Sequence, residues 1–153
     1  DIMNTLTKQT SKSTDLYREV LTIAQDLDID SRELLENIEL NNQDFEIDNY
    51  RFIEEAFAED ILIEVYESDP YVLGCFNSWF ISDCCDIDSD IVEVLQKAEA
   101  YDALGNLMLK NGIEELISEY VRLDGYGHAF GSYDSSHEET SINGVDFIYF
   151  RTN

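Results

Sequence analysis

The spacing of apolar residues changes once along this chain, near Leu123. Before that point apolar side chains recur every three or four residues, which is the period of one face of an α-helix. After it the period is closer to two, as in a strand, and Gly125, Gly127 and Gly131 follow in short order. A set of helices followed by a set of strands predicts an α+β fold.

The first part of the chain is predicted to hold five or six helices around one central apolar helix. The predicted helices cover residues 14–27, 31–40, 48–67, 71–83, 90–103 and 113–122. The central segment, 71–83, is apolar on most sides and follows Pro70, which suits a first helical position because that N–H has no intrahelical partner. Residues 61–67 are rich in β-branched side chains, so a strand there stays an alternative to a helix.

The C-terminal part is predicted to form a three-stranded antiparallel meander over residues 128–133, 137–142 and 145–151. Its best-supported feature is Asn143-Gly144, a dipeptide that suits the type I′ turn between antiparallel strands. The last strand carries apolar residues on both faces, so we expect both faces to be partly covered.

Residues 14–153 are predicted to form a single acidic α+β domain, preceded by a flexible polar tail over residues 1–13. A length of 153 residues is typical of one domain, and with 44% hydrophobic residues the chain is able to bury a sizeable core. Its 12% of aromatic residues also separates it from disordered acidic tails.

The chain carries 34 acidic residues against nine basic ones, a formal net charge of −25. Self-repulsion of this size destabilises the compact state, so we expect a function that uses the charge. We predict a partner-binding surface made of carboxylates. Its residues are Asp26, Asp28, Asp30, Glu33, Glu36, Glu39, Glu54, Glu55, Glu59, Asp60, Glu64, Glu67, Asp86, Asp88 and Asp90.

Several of these carboxylates recur every three or four residues, as Glu33, Glu36 and Glu39 do. On a helix this spacing places successive carboxylates roughly 5 Å apart, and the phosphates of a DNA strand follow one another at a comparable rise. The expected function is that of an acidic protein-binding inhibitor, a nucleic-acid mimic that occupies the DNA- or RNA-binding groove of a basic, nucleic-acid-binding protein. A solvated acidic face, or adaptation to salt, is the alternative explanation of the same pattern.

Residues 21–29 are similar to the helix-turn-helix pattern of bacterial repressors, with Ala24 where that pattern has a small residue. However, Asp28 stands where glycine is usual, and the following helix would present glutamates to the phosphates, which repel them. Direct binding of nucleic acid is therefore not expected.

The sequence Asp-Ile-Asp-Ser occurs twice, at residues 28–31 and 86–89, each time between two predicted helices. Aspartate and serine favour helix N-caps, so shared turn chemistry is the expected cause, and a duplicated helical hairpin stays an alternative. Asp26-x-Asp28-x-Asp30 and Asp86-x-Asp88-x-Asp90 also resemble the opening of a calcium-binding loop, which needs glycine at its sixth position and glutamate at its twelfth. The first segment has Ser31 and Asn37 there, and the second fails at both positions as well, so no metal site is assigned.

The segment 124–139 combines both histidines with carboxylates and glycine-rich backbone. His128 with Asp134 or Glu138 could form an acid–base pair, and His128 and His137 could ligate a metal. No serine or cysteine nucleophile motif accompanies them. A small metal-dependent or histidine-based hydrolase is therefore the alternative function, but the chain is not expected to be an enzyme, and neither a catalytic residue nor a cofactor is assigned.

The three cysteines, Cys75, Cys84 and Cys85, form neither a disulfide framework nor a metal-binding pattern, which favours a reducing cytoplasm. No apolar run approaches the ~20 residues that span a bilayer, and the N-terminus has no secretory signal pattern. We expect a cytoplasmic location without membrane binding.

Two stretches resemble small uncharacterised acidic proteins of tailed bacteriophages and bacterial plasmids. They are Ser68-Asp69-Pro70-Tyr71-Val72-Leu73-Gly74-Cys75-Phe76-Asn77, and Asp124-Gly125-Tyr126-Gly127-His128 leading to Phe150-Arg151-Thr152-Asn153. In charge and size, though not in motif, the chain is similar to phage anti-restriction and anti-CRISPR proteins, many of which imitate DNA. This similarity implies inhibition of a host-defence protein in the cytoplasm of a bacterial host. A phage structural or assembly protein is the third function considered, and a homodimer is left open.

Overall fold

The computed structural model describes the backbone from Ile2 to Asn153 and the side chains from Thr14 onward. The tail predicted over residues 1–13 lies outside the described side chains. Between Ile2 and Asn153 the fold is α+β, as predicted, with eight helices and a four-stranded antiparallel sheet. The elements are α1 (Ile2–Leu27), α2 (Ser31–Glu39), β1 (Asp44–Ile47), β2 (Tyr50–Glu54), α3 (Glu55–Glu67), α4 (Pro70–Gly74), α5 (Ser78–Cys85), α6 (Ser89–Lys97), α7 (Tyr101–Asn111), α8 (Glu114–Ala129), β3 (Glu138–Ile142) and β4 (Val145–Arg151).

The chain divides into two compact units. Unit 1 contains residues 1–56 and 132–153, and unit 2 contains residues 57–131. Each unit has a hydrophobic cluster of its own. The single acidic α+β domain over residues 14–153 stays a prediction.

Unit 1 packs α1 and α2 on one face of the sheet, whose strand order is β1-β2-β4-β3. Because directly paired residues of antiparallel strands share a face, Phe45, Phe52 and Tyr149 line up across three strands. Their rings stack in sequence, with centroids 5.3 Å apart for Phe45 and Phe52 and 5.4 Å for Phe52 and Tyr149. Val20 and Leu34 bury their side chains in the same cluster. The four-stranded sheet thus forms one wall of the unit 1 core.

The β1–β2 hairpin corrects the predicted helix over residues 48–67, which begins only at Glu55. Phe45 and Ile47 are buried and alternate with exposed acids, which is the period-two pattern of a strand. Asp48, with a φ of 54°, lies in the two-residue connection to β2. The remaining part of the predicted helix is present as α3, so residues 61–67 are helical.

The predicted meander is confirmed for its last two strands and wrong for its first. Asn143 and Gly144 have φ values of 54° and 76°, as a type I′ turn between β3 and β4 requires. Residues 128–133 are instead the end of α8 and a turn, and the other neighbour of β4 is β2. Both faces of β4 hold buried residues, as expected, with Phe147 on one face and Ile148 on the other.

In unit 2 the predicted central helix over residues 71–83 is two short helices, α4 and α5. The break occurs because the side chain of Asn77 accepts a hydrogen bond from the Trp79 N–H at 3.2 Å and so caps a new helix. Leu73 on α4 and Ile81 on α5 are fully buried, so the segment is central to its core even though it is not continuous.

Helices α4 and α7 approach each other at two glycines. A Cβ atom at Gly74 would collide with the Tyr101 carbonyl oxygen, and one at Gly105 with the Pro70 carbonyl oxygen. Backbone therefore packs directly on backbone here, which only glycine permits. The same part of unit 2 corrects another prediction, since residues 90–103 are split between α6 and α7.

Candidate functional site

All fifteen predicted partner-binding carboxylates lie at the surface of the protein. Glu54, Glu55 and Glu59 are half-buried, and the other twelve are exposed. Eight of the fifteen belong to unit 1 and seven to unit 2. The predicted set is therefore not one row, and the geometry of each part is described within its own unit.

Net charge does not distinguish the two units. Unit 1 carries eighteen acidic and six basic residues, and unit 2 carries sixteen and three. The excess of acid is thus close to equal in both. Only the local arrangement of carboxylates separates one candidate surface from another.

The most regular carboxylates are those of α2, in unit 1. Leu34 and Ile38 point into the core, whereas Glu33, Glu36 and Glu39 are exposed. We call these three glutamates the α2 row. Spacing of three residues at a 1.5 Å rise places them about 4.5 Å apart along the helix axis.

Both ends of α2 are fixed by hydrogen bonds. At the start, Asp30 Oδ1 accepts the N–H groups of Arg32 at 2.9 Å and Glu33 at 3.1 Å. At the end, the Asn42 N–H donates to the Asn37 carbonyl oxygen at 3.0 Å around Asn41, whose φ is 56°. This second arrangement is a Schellman motif. The α2 row therefore stands on a helix whose length is set at both ends.

A second set of carboxylates lies on α3, in unit 2. Asp60, Glu64 and Glu67 are exposed, and the opposite side of the helix buries Ala58 and Leu62. The spacing is again three to four residues, so these carboxylates follow one side of the helix. The two helices present similar acidic faces, one in each unit.

The two Asp-Ile-Asp-Ser segments have the same conformation, one in each unit. The first aspartate of each, Asp28 or Asp86, follows a helix with a φ of 55° or 51°. The second aspartate caps the next helix: Asp30 caps α2, and Asp88 Oδ1 accepts the Asp90 N–H at 2.8 Å. The isoleucine between them is buried in both. These aspartates have structural roles at turns, as the sequence predicted for shared turn chemistry.

The equivalence extends through the helices that follow. Both α2 and α6 have nine residues, and Glu99 after α6 repeats the φ of 56° found at Asn41. The Ala100 N–H donates to the Leu95 carbonyl oxygen at 2.9 Å, as Asn42 does to Asn37. Residues 28–42 and 86–100 therefore share one pattern of caps, although beyond the tetrapeptide their sequences differ.

The ion pairs of the described side chains leave this acidic surface unneutralised. They join Arg51 to Asp44 at 2.8 Å, Arg122 to Glu119, and His137 to Glu139 at 3.8 Å. In each pair the acid lies outside the fifteen predicted carboxylates. Arg32 is the basic residue of α2 itself and lies in the first turn of the helix.

The histidine segment is divided between the units. His128 is exposed near the end of α8 in unit 2, with its ring centroid 5.8 Å from that of Tyr120. Asp134, His137 and Glu138 belong to unit 1. The Asp134 carboxylate accepts the hydroxyl and the N–H of Ser136, at 2.6 and 3.0 Å, and these bonds lower its pKa. No acid–base pair with His128 is therefore formed within either unit, and among the described residues no group of three or more His, Cys, Asp or Glu could hold a metal ion.

Sequence reasoning missed a cleft in unit 1, at the end of the sheet beside the last residue of α1. It has a volume of about 200 Å³. We call it the tyrosine cleft; its lining includes Leu27, Tyr50, His137, Glu138, Tyr149 and Arg151. Tyr50 comes from β2, the strand that the sequence analysis assigned to a helix. The signal that could have revealed it is the alternation of apolar residues over 45–52.

The cysteines lie in unit 2 and form no disulfide. Cys75 is exposed, Cys84 half-buried and Cys85 buried. Burial, with smaller contributions from Cys84, Glu115 and Glu114, raises the pKa of Cys85 to about 11. Such a thiol is unreactive at neutral pH.

Comparison of the chain with known protein families, curated proteins and solved structures found no match. Among the described helices, none is both long and apolar enough to cross a membrane.

Proposed function

We propose that this protein is an acidic inhibitor that occupies the nucleic-acid-binding groove of a basic protein, with the α2 row as its principal contact. The observation that supports this proposal is the exposure of Glu33, Glu36 and Glu39 on a helix fixed at both ends. Because the helix backbone is already ordered, binding has to order only the three glutamate side chains, so more of the electrostatic energy contributes to affinity.

The spacing of the α2 row fits a surface that tracks phosphates. Its carboxylates repeat at about 4.5 Å along the axis, and the phosphates of one DNA strand rise by about 3.4 Å each. Lysine and arginine side chains are long and flexible enough to accommodate that difference. The charge of −25 would also speed the encounter with a basic partner.

The same charge argues against direct binding of nucleic acid, because phosphates would be repelled from both units. A partner with a basic groove, such as a host-defence nuclease in a bacterial cytoplasm, is the class that the acidic surface suits. The proposal needs no cofactor.

The test compares two triple variants that lose the same charge. One carries Glu33→Gln, Glu36→Gln and Glu39→Gln. The control carries Glu93→Gln, Glu99→Gln and Asp124→Asn, all exposed in unit 2. Each tagged protein is used to capture partners from a nuclease-treated bacterial lysate at 50 and 200 mM salt, and captured proteins are then challenged with DNA and RNA.

We expect the wild type and the control to capture the same nucleic-acid-binding protein, which nucleic acid then displaces. The α2 variant should bind that protein at least about tenfold more weakly, since three charge-assisted contacts are lost. Equal weakening by both triple variants would show that net charge alone, and not the α2 row, is recognised. A captured partner that nucleic acid does not displace would contradict mimicry.

A further inference from the structure

The tyrosine cleft combines two aromatic rings with a carboxylate on adjacent strands. Tyr149 on β4 lies directly opposite Glu138 on β3, and paired residues have Cβ atoms roughly 5 Å apart on the same face. On the other side of β4, the Tyr50 ring from β2 lies with its centroid 6.2 Å from that of Tyr149. Leu27 at the end of α1 closes one wall.

The charge around the Tyr149 phenol is negative. Burial, together with the nearby Glu138, Tyr50 and Asp26, raises the pKa of this phenol. Asp26, one of the predicted partner-binding residues, lies in the last turn of α1 and acts on this phenol through its charge, although it is not among the residues that line the cleft. Burial disfavours any unpaired charge here, but the Glu138 carboxylate, opposite Tyr149 on the neighbouring strand, would compensate a cation and repel an anion.

The one arginine of the cleft is already engaged by its own chain. Arg151 donates from Nη2 to the Asn153 carbonyl oxygen at 3.0 Å, and its Cζ lies 4.9 Å from the centre of the Tyr133 ring. His137 has its Nε2 atom 3.8 Å from Glu139 Oε1. Among the described side chains Glu138 has no ion-pair partner, although it is exposed at the mouth of the cleft.

The size of the cleft limits what it can hold. About 200 Å³ is somewhat larger than a cavity that accepts one benzene ring and smaller than most sites for drug-sized ligands. It suits the end of one long side chain. A planar guanidinium can lie on a tyrosine ring and donate to a neighbouring carboxylate at the same time, which an ammonium does less well.

We propose that the tyrosine cleft receives the guanidinium of one arginine side chain from the basic partner, which stacks on Tyr149 or Tyr50 and donates to Glu138. This inference rests on the proposed function for the source of the arginine. It adds an anchoring pocket, with defined shape, to a surface otherwise recognised through charge. The cleft and the α2 row both belong to unit 1.

The cleft can be tested without the partner, using N-acetylarginine amide as the probe and N-acetylcitrulline amide as its neutral analogue. Each is titrated into the full-length ¹⁵N-labelled protein while backbone amide shifts are followed by NMR. We expect the arginine probe to give saturable shifts at residues 134–138 and 149–151, and the citrulline probe to bind at least about fivefold more weakly, because it lacks the charge.

The matched variants are Glu138→Gln and Glu46→Gln. Each removes one charge from a strand of the same sheet, but Glu46 pairs with Arg51 on the other face and does not line the cleft. Both residues are exposed, so both variants should fold, as an unchanged backbone spectrum away from the site would confirm. Glu138→Gln should weaken the arginine probe about three- to tenfold, and Glu46→Gln by less than twofold.

Equal weakening by the two variants, equal binding of both probes, or shifts spread without saturation over the acidic helices would overturn the cleft assignment. These outcomes are separable from a failure of the proposed function. Specific binding of the arginine probe with no partner captured from lysate would uphold the cleft and reject the partner class. A captured partner that binds Glu138→Gln as tightly as wild type would reject the cleft alone.

Discussion

Cys85 shows how far a single side chain in this protein is governed by its surroundings. It is 2% exposed within the unit 2 core, next to Cys84 and near two glutamates of α8. Both burial and negative charge disfavour the thiolate, so its pKa of about 11 lies well above an ordinary 9.0. Cys75, which follows α4 and lies two residues before Asn77, is exposed instead.

We therefore expect the three thiols to react with iodoacetamide in the order of their exposure. At pH 8 Cys75 should be alkylated first, and Cys85 at least about a hundredfold more slowly than in urea, because two pKa units reduce the thiolate a hundredfold. The Cys85 rate should keep rising up to about pH 11 in the folded protein, since its folded pKa is the higher one. Cleavage after glutamate leaves all three cysteines in one peptide, residues 68–93, so tandem mass spectrometry of that peptide gives each rate.

Urea supplies the internal control, since all three cysteines should then react alike. Alkylation of folded Cys85 as fast as Cys75 would show that the core of unit 2 opens readily on the timescale of labelling.

At the scale of the element, the same acidic residues that suggest a binding surface also define where helices start. Asp30 and Asp88 cap α2 and α6 and are also among the predicted partner-binding carboxylates. Their oxygens are occupied by backbone N–H groups of their own helices. Binding and stability can therefore be confused at these two positions, and a variant must separate the cap from the charge.

Replacing a capping aspartate by alanine or by asparagine separates the cap from the charge. Both substitutions remove the charge, but only asparagine keeps a side-chain oxygen that can accept the backbone N–H. We expect Asp30→Ala and Asp88→Ala each to lower the free energy of unfolding by about 1 kcal/mol, and Asp30→Asn and Asp88→Asn by only a few tenths of that. Urea unfolding followed by circular dichroism measures the difference. If alanine and asparagine variants had the same stability, the caps would contribute nothing.

Caps and turns were the elements best predicted from sequence, because their chemistry is local. Asp30 before α2, Pro70 at the start of α4 and Asn143-Gly144 between β3 and β4 each have the predicted role. The division of residues 71–83 was missed although its cap at Asn77 is local, whereas the packing of Gly74 on the backbone of α7 was missed because α7 lies about thirty residues further along the chain. The tyrosine cleft was missed for a similar reason, because Tyr50 joins it only through pairing with β4.

At the scale of the whole molecule, like charge acts on both units. With eighteen acids against six bases in one and sixteen against three in the other, each unit must fold against its own repulsion. Screening by salt should relieve that repulsion, because the Debye length falls from about 30 Å at 0.01 M to about 3 Å at 1 M.

We expect the free energy of unfolding to rise by about 1 kcal/mol or more between 0.01 and 0.5 M NaCl. The variant with Glu33, Glu36 and Glu39 changed to glutamine should show a smaller rise, as it repels itself less. Urea unfolding at each salt concentration measures the effect. A free energy of unfolding that does not depend on NaCl would mean that the carboxylates are far enough apart for their mutual repulsion to be negligible.

The sheet of unit 1 is assembled from two distant parts of the chain, with all of unit 2 between them. A ribosome therefore releases β1 and β2 first and supplies β4, the strand that pairs with β2 inside the sheet, only after residues 57–131 have been made. From the end of β2 at Glu54 to the end of β4 at Arg151, synthesis at about 5–20 residues per second takes roughly 5 to 19 s, during which this edge of β2 stays open. Unit 2 is contiguous in sequence and can form during that time, so unit 1, whose N-terminal part is synthesised first, is the last unit to be completed.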